Sequence, residues 1–181
     1  MLHSRSGGKR SARCKHVSIQ EPEGLALISI GNTLRADDGV ATVLCKALPQ
    51  ELLARVCSFD LGTHTGLLAE CLRGHKAAII VDSTKNDFAP GSVSMLNLQS
   101  VLERPSLLSV ESSHGFSFFD ELRICSSGEA LPERLLFFGV EASSIAWSEK
   151  LSDALETKVP QIIQRLSLLV TKILEEINED A

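Results

Sequence analysis

From Leu25 onward the chain alternates short apolar runs with stretches whose apolar residues recur at helical spacing. Leu25 to Ile30 is an apolar run closed by Gly31, the pattern of a buried strand. Asp38-Gly39 opens a stretch with Val40, Val43, Leu44 and Leu48 on one helical face, stopped near Pro49. Val56 to Asp60 reads as a second strand closed by Gly62, Gly66 to Leu72 as a short helix, and Ala77 to Val81 as a third buried strand ending in Asp82. Lys85-Asn86-Asp87 and Pro90-Gly91 follow, turn chemistry without helical period. A parallel crossover needs about a dozen residues or more, so strand Val93 to Leu98 is expected to run antiparallel. The pattern then predicts a long loop through Glu111, a helix from about Phe116 to Cys125 and a fifth strand from Arg134 to Val140. Ser152 to Ile177 is helical, with Leu155, Val159, Ile162, Ile163, Leu166, Leu169, Val170, Ile173 and Ile177 on one broad apolar face and Pro160 marking a start or kink. This alternation predicts a three-layer α/β/α sandwich around a five-stranded, mostly parallel sheet with one antiparallel strand.

Composition narrows the function classes. The 181 residues fit one domain, residues 24–181, preceded by a disordered basic extension over residues 1–23. Residues 1 to 20 hold Arg5, Lys9, Arg10, Arg13 and Lys15 with no acid, so a total charge of −5 leaves −10 on the remainder. An acidic body argues against nucleic acid as partner and suits a guest that brings cations. No apolar run reaches the ~18 residues of a membrane span, and no signal-peptide core follows the basic start, so a cytoplasmic protein without membrane contact is expected. The cysteines (Cys14, Cys45, Cys57, Cys71, Cys125) are scattered and include no Cys-x-x-Cys, which points to free thiols in a reducing compartment.

Ligands of open α/β sheets bind beyond the carboxyl ends of the strands. Gly31 to Gly39, Asp60-Leu61-Gly62-Thr63 and Asp82 all fall at that edge. The first loop has no phosphate-binding glycine pattern and presents Asp37 and Asp38, which would repel a phosphate and attract a cation. Asp38 and Asp82, with His114 from Ser112-Ser113-His114-Gly115, make an incomplete shell of two carboxylates and one imidazole. That donor set suits nickel, zinc, manganese or iron. Taken singly, Asp37 or Asp38 would serve as a helix cap, Asp82 as a turn cap and His114 as a surface residue. Asp37 or the Asn32 side chain is expected to do structural work, with Asp38 the ligand. His64, after Thr63 at the same edge, is the rival imidazole. There is no Gly-x-Ser-x-Gly elbow and no Cys–His pair with recognisable flanks, so no nucleophile is assigned and water activated at a metal is the better route.

The ordered set Ile30-Gly31-Asn32-Thr33-Leu34-Arg35-Ala36-Asp37-Asp38-Gly39, Asp60-Leu61-Gly62-Thr63, Ile80-Val81-Asp82, Pro90-Gly91, Ser113-His114 and Phe138-Gly139-Val140-Glu141 resembles the nickel-dependent hydrogenase maturation endopeptidases. The likeness spans about Leu25 to Ile177. It implies a phosphorylase/hydrolase-like fold and an endopeptidase that removes the C-terminal peptide of a hydrogenase large-subunit precursor after nickel insertion. It implies Asp38, Asp82 and His114 as the residues that meet nickel, with Asn32, Asp37, Thr63 and His64 in support. The precursor would supply the nickel, and no organic cofactor is expected. A non-proteolytic nickel-binding maturation factor on the same fold is the alternative. Three departures stand out: Leu61 replaces a glycine, Ala41 stands where Gly-Val-Gly is usual, and Asp38 is shorter than the frequent Glu.

Overall fold

The computed structural model describes residues 24–104, 121–123, 125–126 and 131–179. Five strands form one sheet in the order β2-β1-β3-β5-β4: β1 Leu25–Ile30, β2 Val56–Gly62, β3 Ala77–Thr84, β4 Val93–Asn97 and β5 Arg134–Glu141. The first three strands and β5 run parallel, and β4 pairs β5 antiparallel. The sandwich, its mostly parallel sheet and the reversed strand agree with the sequence pattern. β1 and β3 are buried along their whole length, as continuous apolar runs in a parallel sheet must be.

Alternation along these strands feeds two cores. Leu25, Leu27, Ile79, Val81, Phe138 and Val140 point to one face, covered by α1 (Val40–Lys46), α5 (Asp153–Glu156) and α6 (Val159–Glu179). Helix α6 buries Ile162, Leu166, Val170, Ile173 and Leu174, and Pro160 lies in its first turn, where a missing N–H costs nothing. Ala26, Ile28, Ile30, Ile80 and Phe137 point to the other face, against α3 (Leu68–Leu72), Leu98 and Leu122. Residues 121–123 and 125–126 are helical, overlapping the end of the helix expected over about Phe116 to Cys125 and passing it by one residue; the rest of that expected helix lies outside the described residues.

Three local expectations need correction. Asp82 does not end its strand: β3 continues to Thr84, because Asp82, Ser83 and Thr84 find partners in Gly139, Val140 and Glu141 of β5. Leu98 begins a helix rather than ending β4. The Asn97 side chain accepts from Ser100 N at 3.2 Å, capping α4 (Leu98–Glu103), and Leu98 and Val101 turn inward. A one-turn helix α2 (Gln50–Leu53) also follows Pro49. Both helices are too short to show a helical period.

The cysteines differ in ways that labelling can read. Burial, with Asp60 adding to it, pushes the Cys45 thiol up to about 12, and burial beside Glu70 pushes Cys71 up to about 11. Cys57 lies exposed on the edge strand β2. Iodoacetamide at pH 8 should therefore modify Cys57 well before Cys45 or Cys71 in the native protein. Peptide mass mapping reads the order, and early modification of Cys45 would contradict this packing.

Candidate functional site

The strand order places β1 beside β3, while the chain leaves β1 for β2 on the other side. The crevice between the carboxyl ends of β1 and β3 is thus a topological switch point. Gly31 starts the loop that overhangs it. With φ at +146°, and with an added Cβ falling 2.0 Å from the Asp38 carbonyl oxygen, only glycine fits there. The loop returns through a 3₁₀ turn, Ala36–Gly39, directly into α1.

Asp37 anchors this loop. It is fully buried, and its Oδ2 accepts from Ser143 N at 2.8 Å, Ser144 N at 2.9 Å and Ser152 Oγ at 2.8 Å, while Oδ1 accepts from Ser152 N at 2.7 Å. Backbone bonds join the same two segments: Ala36 N to Ser148 O at 2.7 Å, Asp37 N to Ser144 O at 3.0 Å and Ser148 N to Leu34 O at 3.0 Å. Arg35 Nε donates to Ile145 O, and its guanidinium lies 5.2 Å from the centre of the exposed Trp147 ring. Neither Asp37 nor Asp38 caps α1 with its side chain, since no such bond forms at the helix start.

Asp38 turns the other way. The residue is 5% exposed; its Oδ2 accepts from Asn32 N at 3.1 Å and its Oδ1 from Ser83 Oγ at 2.9 Å. Asp82, also fully buried, accepts from Ser83 N at 2.7 Å through Oδ1. The structure thus brings Asp38 and Asp82 to the same residue of β3, one through its side chain and the other through its backbone. The Asn32 side chain closes an Asx turn onto Leu34 N at 3.0 Å.

The remaining candidates separate from this pair. Thr63 and His64 are exposed beyond β2, one strand further out, and make no side-chain hydrogen bond among the described residues. Asp60 of the second motif is held by Thr42 Oγ1 at 3.2 Å, Ser29 Oγ at 3.3 Å and Lys46 Nζ at 3.1 Å. Partial burial works against its charge, but Lys46, Thr42 and the Gly62 amide outweigh that and lower its pKa. His114 lies outside the described residues. Among the described residues no group of three His, Cys, Asp or Glu side chains is gathered for a metal ion. Carboxylate oxygens are donors that suit a divalent cation, and a shell of two leaves positions for other ligands. Sequence reasoning missed Ser83; its one signal was a hydroxyl residue directly after the strand acid.

The family model for HycI hydrogenase maturation proteases matches residues 43–168. The chain belongs to the hydrogenase maturation protease family. Solved structures resemble the chain over most of its length. The hydrogenase maturating endopeptidase HybD from E. coli superposes with a TM-score of 0.68 at 22% identity, covering 82% of this chain and 93% of that one. The [NiFe] hydrogenase maturation protease HybD from Thermococcus kodakarensis gives 0.65 at 20% identity, covering 81% and 99%. HycI from Thermococcus kodakarensis KOD1 gives 0.55 at 17% identity, covering 84% and 92%. At these identities the structures establish the shared fold. No curated protein sequence matches significantly. Among the described residues, no helix is long and apolar enough to cross a membrane.

The two adjacent aspartates should respond differently to substitution. Asp37→Ala strips four donors of their acceptor and should cost about 3 kcal/mol. For a chain of this size that is roughly 6–12 °C in Tm. Thermal unfolding followed by circular dichroism measures it, and an unchanged Tm would show that Asp37 does not tie the two segments together.

Proposed function

We propose that this chain is an endopeptidase that removes the C-terminal peptide of a hydrogenase large-subunit precursor after nickel has been inserted. Asp38 and Asp82, joined by His114, recognise nickel still held by the precursor, and the reaction takes place in the cytoplasm. The observation that supports this most is the placement of two buried carboxylates around Ser83 at the β1–β3 crevice of a hydrogenase-maturation-protease fold. A shell of two carboxylates and one imidazole leaves positions that ligands on the precursor complete. The −10 charge of the chain beyond residue 20 fits a guest that carries a cation. Water polarised at that metal is the route to hydrolysis consistent with a site where Ser83, the hydroxyl residue bonded to Asp38 among the described residues, is fully buried.

The test is incubation with a large-subunit precursor, with and without nickel, and mass measurement of the product. The wild-type chain should release the C-terminal peptide from the nickel-loaded precursor only. Asp38→Asn, Asp82→Asn and His114→Ala should each lower kcat/KM at least about 100-fold while Tm stays near wild type. Normal processing by all three variants would remove the nickel reading. Tight nickel binding by the isolated chain with no cleavage would favour a non-proteolytic metal factor instead.

A further inference from the structure

We propose that Leu34, Ile145 and Trp147 form the surface on which the hydrogenase large-subunit precursor docks, taking apolar side chains of the precursor. The inference rests on the precursor-processing reading and deepens it, by naming where the precursor is held apart from its metal.

Five of the eight large apolar side chains exposed among the described residues lie beyond the carboxyl ends of the parallel strands: Leu34 after β1, Leu67 after β2, Phe88 after β3, and Ile145 and Trp147 after β5. Single exposed apolar residues are ordinary, but their concentration along one edge marks a surface that a partner covers. Three of the five are gathered by the bonds that hold the first loop. Ser148 N donates to Leu34 O at 3.0 Å, Ala36 N to Ser148 O at 2.7 Å and Arg35 Nε to Ile145 O at 3.1 Å. Trp147 precedes Ser148, is 74% exposed and has the Arg35 guanidinium 5.2 Å from its ring centre. The ring is thus held before a partner arrives, which lowers the entropy lost when it is covered. Tryptophan and arginine are also enriched among the residues that carry binding energy at protein interfaces.

The precursor is the occupant because the patch runs into the crevice. Leu34 N donates to the Asn32 side chain at 3.0 Å, and Asn32 N donates to Asp38 Oδ2 at 3.1 Å. Two hydrogen bonds therefore span from the patch to the acid read as nickel-facing. A partner whose metal reaches Asp38 meets this rim on the way in.

Trp147 is the single tryptophan of the chain, so fluorotryptophan labelling gives the full-length protein one fluorine NMR resonance. Unlabelled precursor, nickel-loaded or nickel-free, should shift or broaden that resonance, and raising the chain's own concentration should not. Trp147→Ala and Leu34→Ser should each weaken binding of both precursor forms at least about tenfold, raise KM by a similar factor and leave kcat within about twofold. Leu168→Ala, which removes an exposed leucine of α6, should bind as wild type. All three variants should keep a Tm near wild type, since each alters an exposed side chain. The docking inference is overturned if Trp147→Ala and Leu34→Ser bind the precursor normally, if Leu168→Ala weakens binding as much, or if self-concentration alone moves the resonance; the processing reading survives each of these. If Asp38→Asn cleaves normally while Trp147→Ala still weakens binding, the nickel reading falls and the docking surface stands. If the wild-type chain neither binds nor cuts the precursor, both fall.

Discussion

The carboxylate of Asp37 is the constraint on which the site depends. One buried acid collects three backbone N–H groups and one hydroxyl from the segment after β5, and so fixes the loop after β1 against a part of the chain more than a hundred residues away. The loop is strained in order to reach: Ala36 sits at φ +47°, a left-handed conformation that costs a non-glycine residue about 1 kcal/mol. That conformation persists because Ala36 N bonds Ser148 O on the same segment. Once Asp37 is fixed, its neighbour's direction follows. In a 3₁₀ turn successive side chains diverge by about 120°, so the anchoring of Asp37 toward residues 143–152 sends Asp38 toward β3.

Among the described residues four acids are nearly inaccessible, and they divide by where they lie. Asp37 and Glu141 are tied to backbone amides and hydroxyls that close loops; Glu141 takes Thr84 Oγ1 at 2.8 Å and Asn86 N at 2.7 Å, and so pins the turn between β3 and β4. Asp38 and Asp82 meet at Ser83, within the crevice where this class of sheet binds ligands. The first pair accounts for its own burial by the structure it secures. The second pair lies where this class of sheet presents its ligand-binding residues rather than at a loop closure.

The division explains what could be read from sequence. β1 and β3 were legible because a strand buried on both faces leaves an unbroken apolar run, and the reversed β4 because the short, turn-rich stretch between Asp82 and Val93 cannot carry a parallel crossover. The pairing that extends β3 to Thr84 was not, since it depends on β5, some fifty residues later, lying in register with Ser83 and Thr84. Helix α4 was hidden because Leu98 continues the apolar run of β4, and only the Asn97 cap marks the change. Asp38 and Asp82 stood out by type and place. Ser83 did not, because a serine after a strand has no chemical signature until the fold brings a carboxylate to its hydroxyl. That Asp37 serves residues 143–152 was equally out of reach, since nothing local to it names so distant a partner.

The departures from the family pattern can be weighed on the same ground. Leu61 is nearly buried and packs with Ile30 and Leu68 in one core, and Ala41 is fully buried with Leu44 and Val81 in the other. Each lies in the apolar packing of the cores and has no side-chain group able to bond Asp38, Ser83 or Asp82. Their side chains change how helices seat on the sheet. The third departure is different in kind. A carboxylate one methylene shorter draws back by roughly 1.5 Å, and at that length Asp38 lies within hydrogen-bond reach of Ser83 Oγ. A longer side chain would carry its oxygens past this hydroxyl and would have to find its heading elsewhere. The short acid and the hydroxyl therefore form one unit. Asp38 is best understood as half of a pair whose reach into the crevice is set by β3.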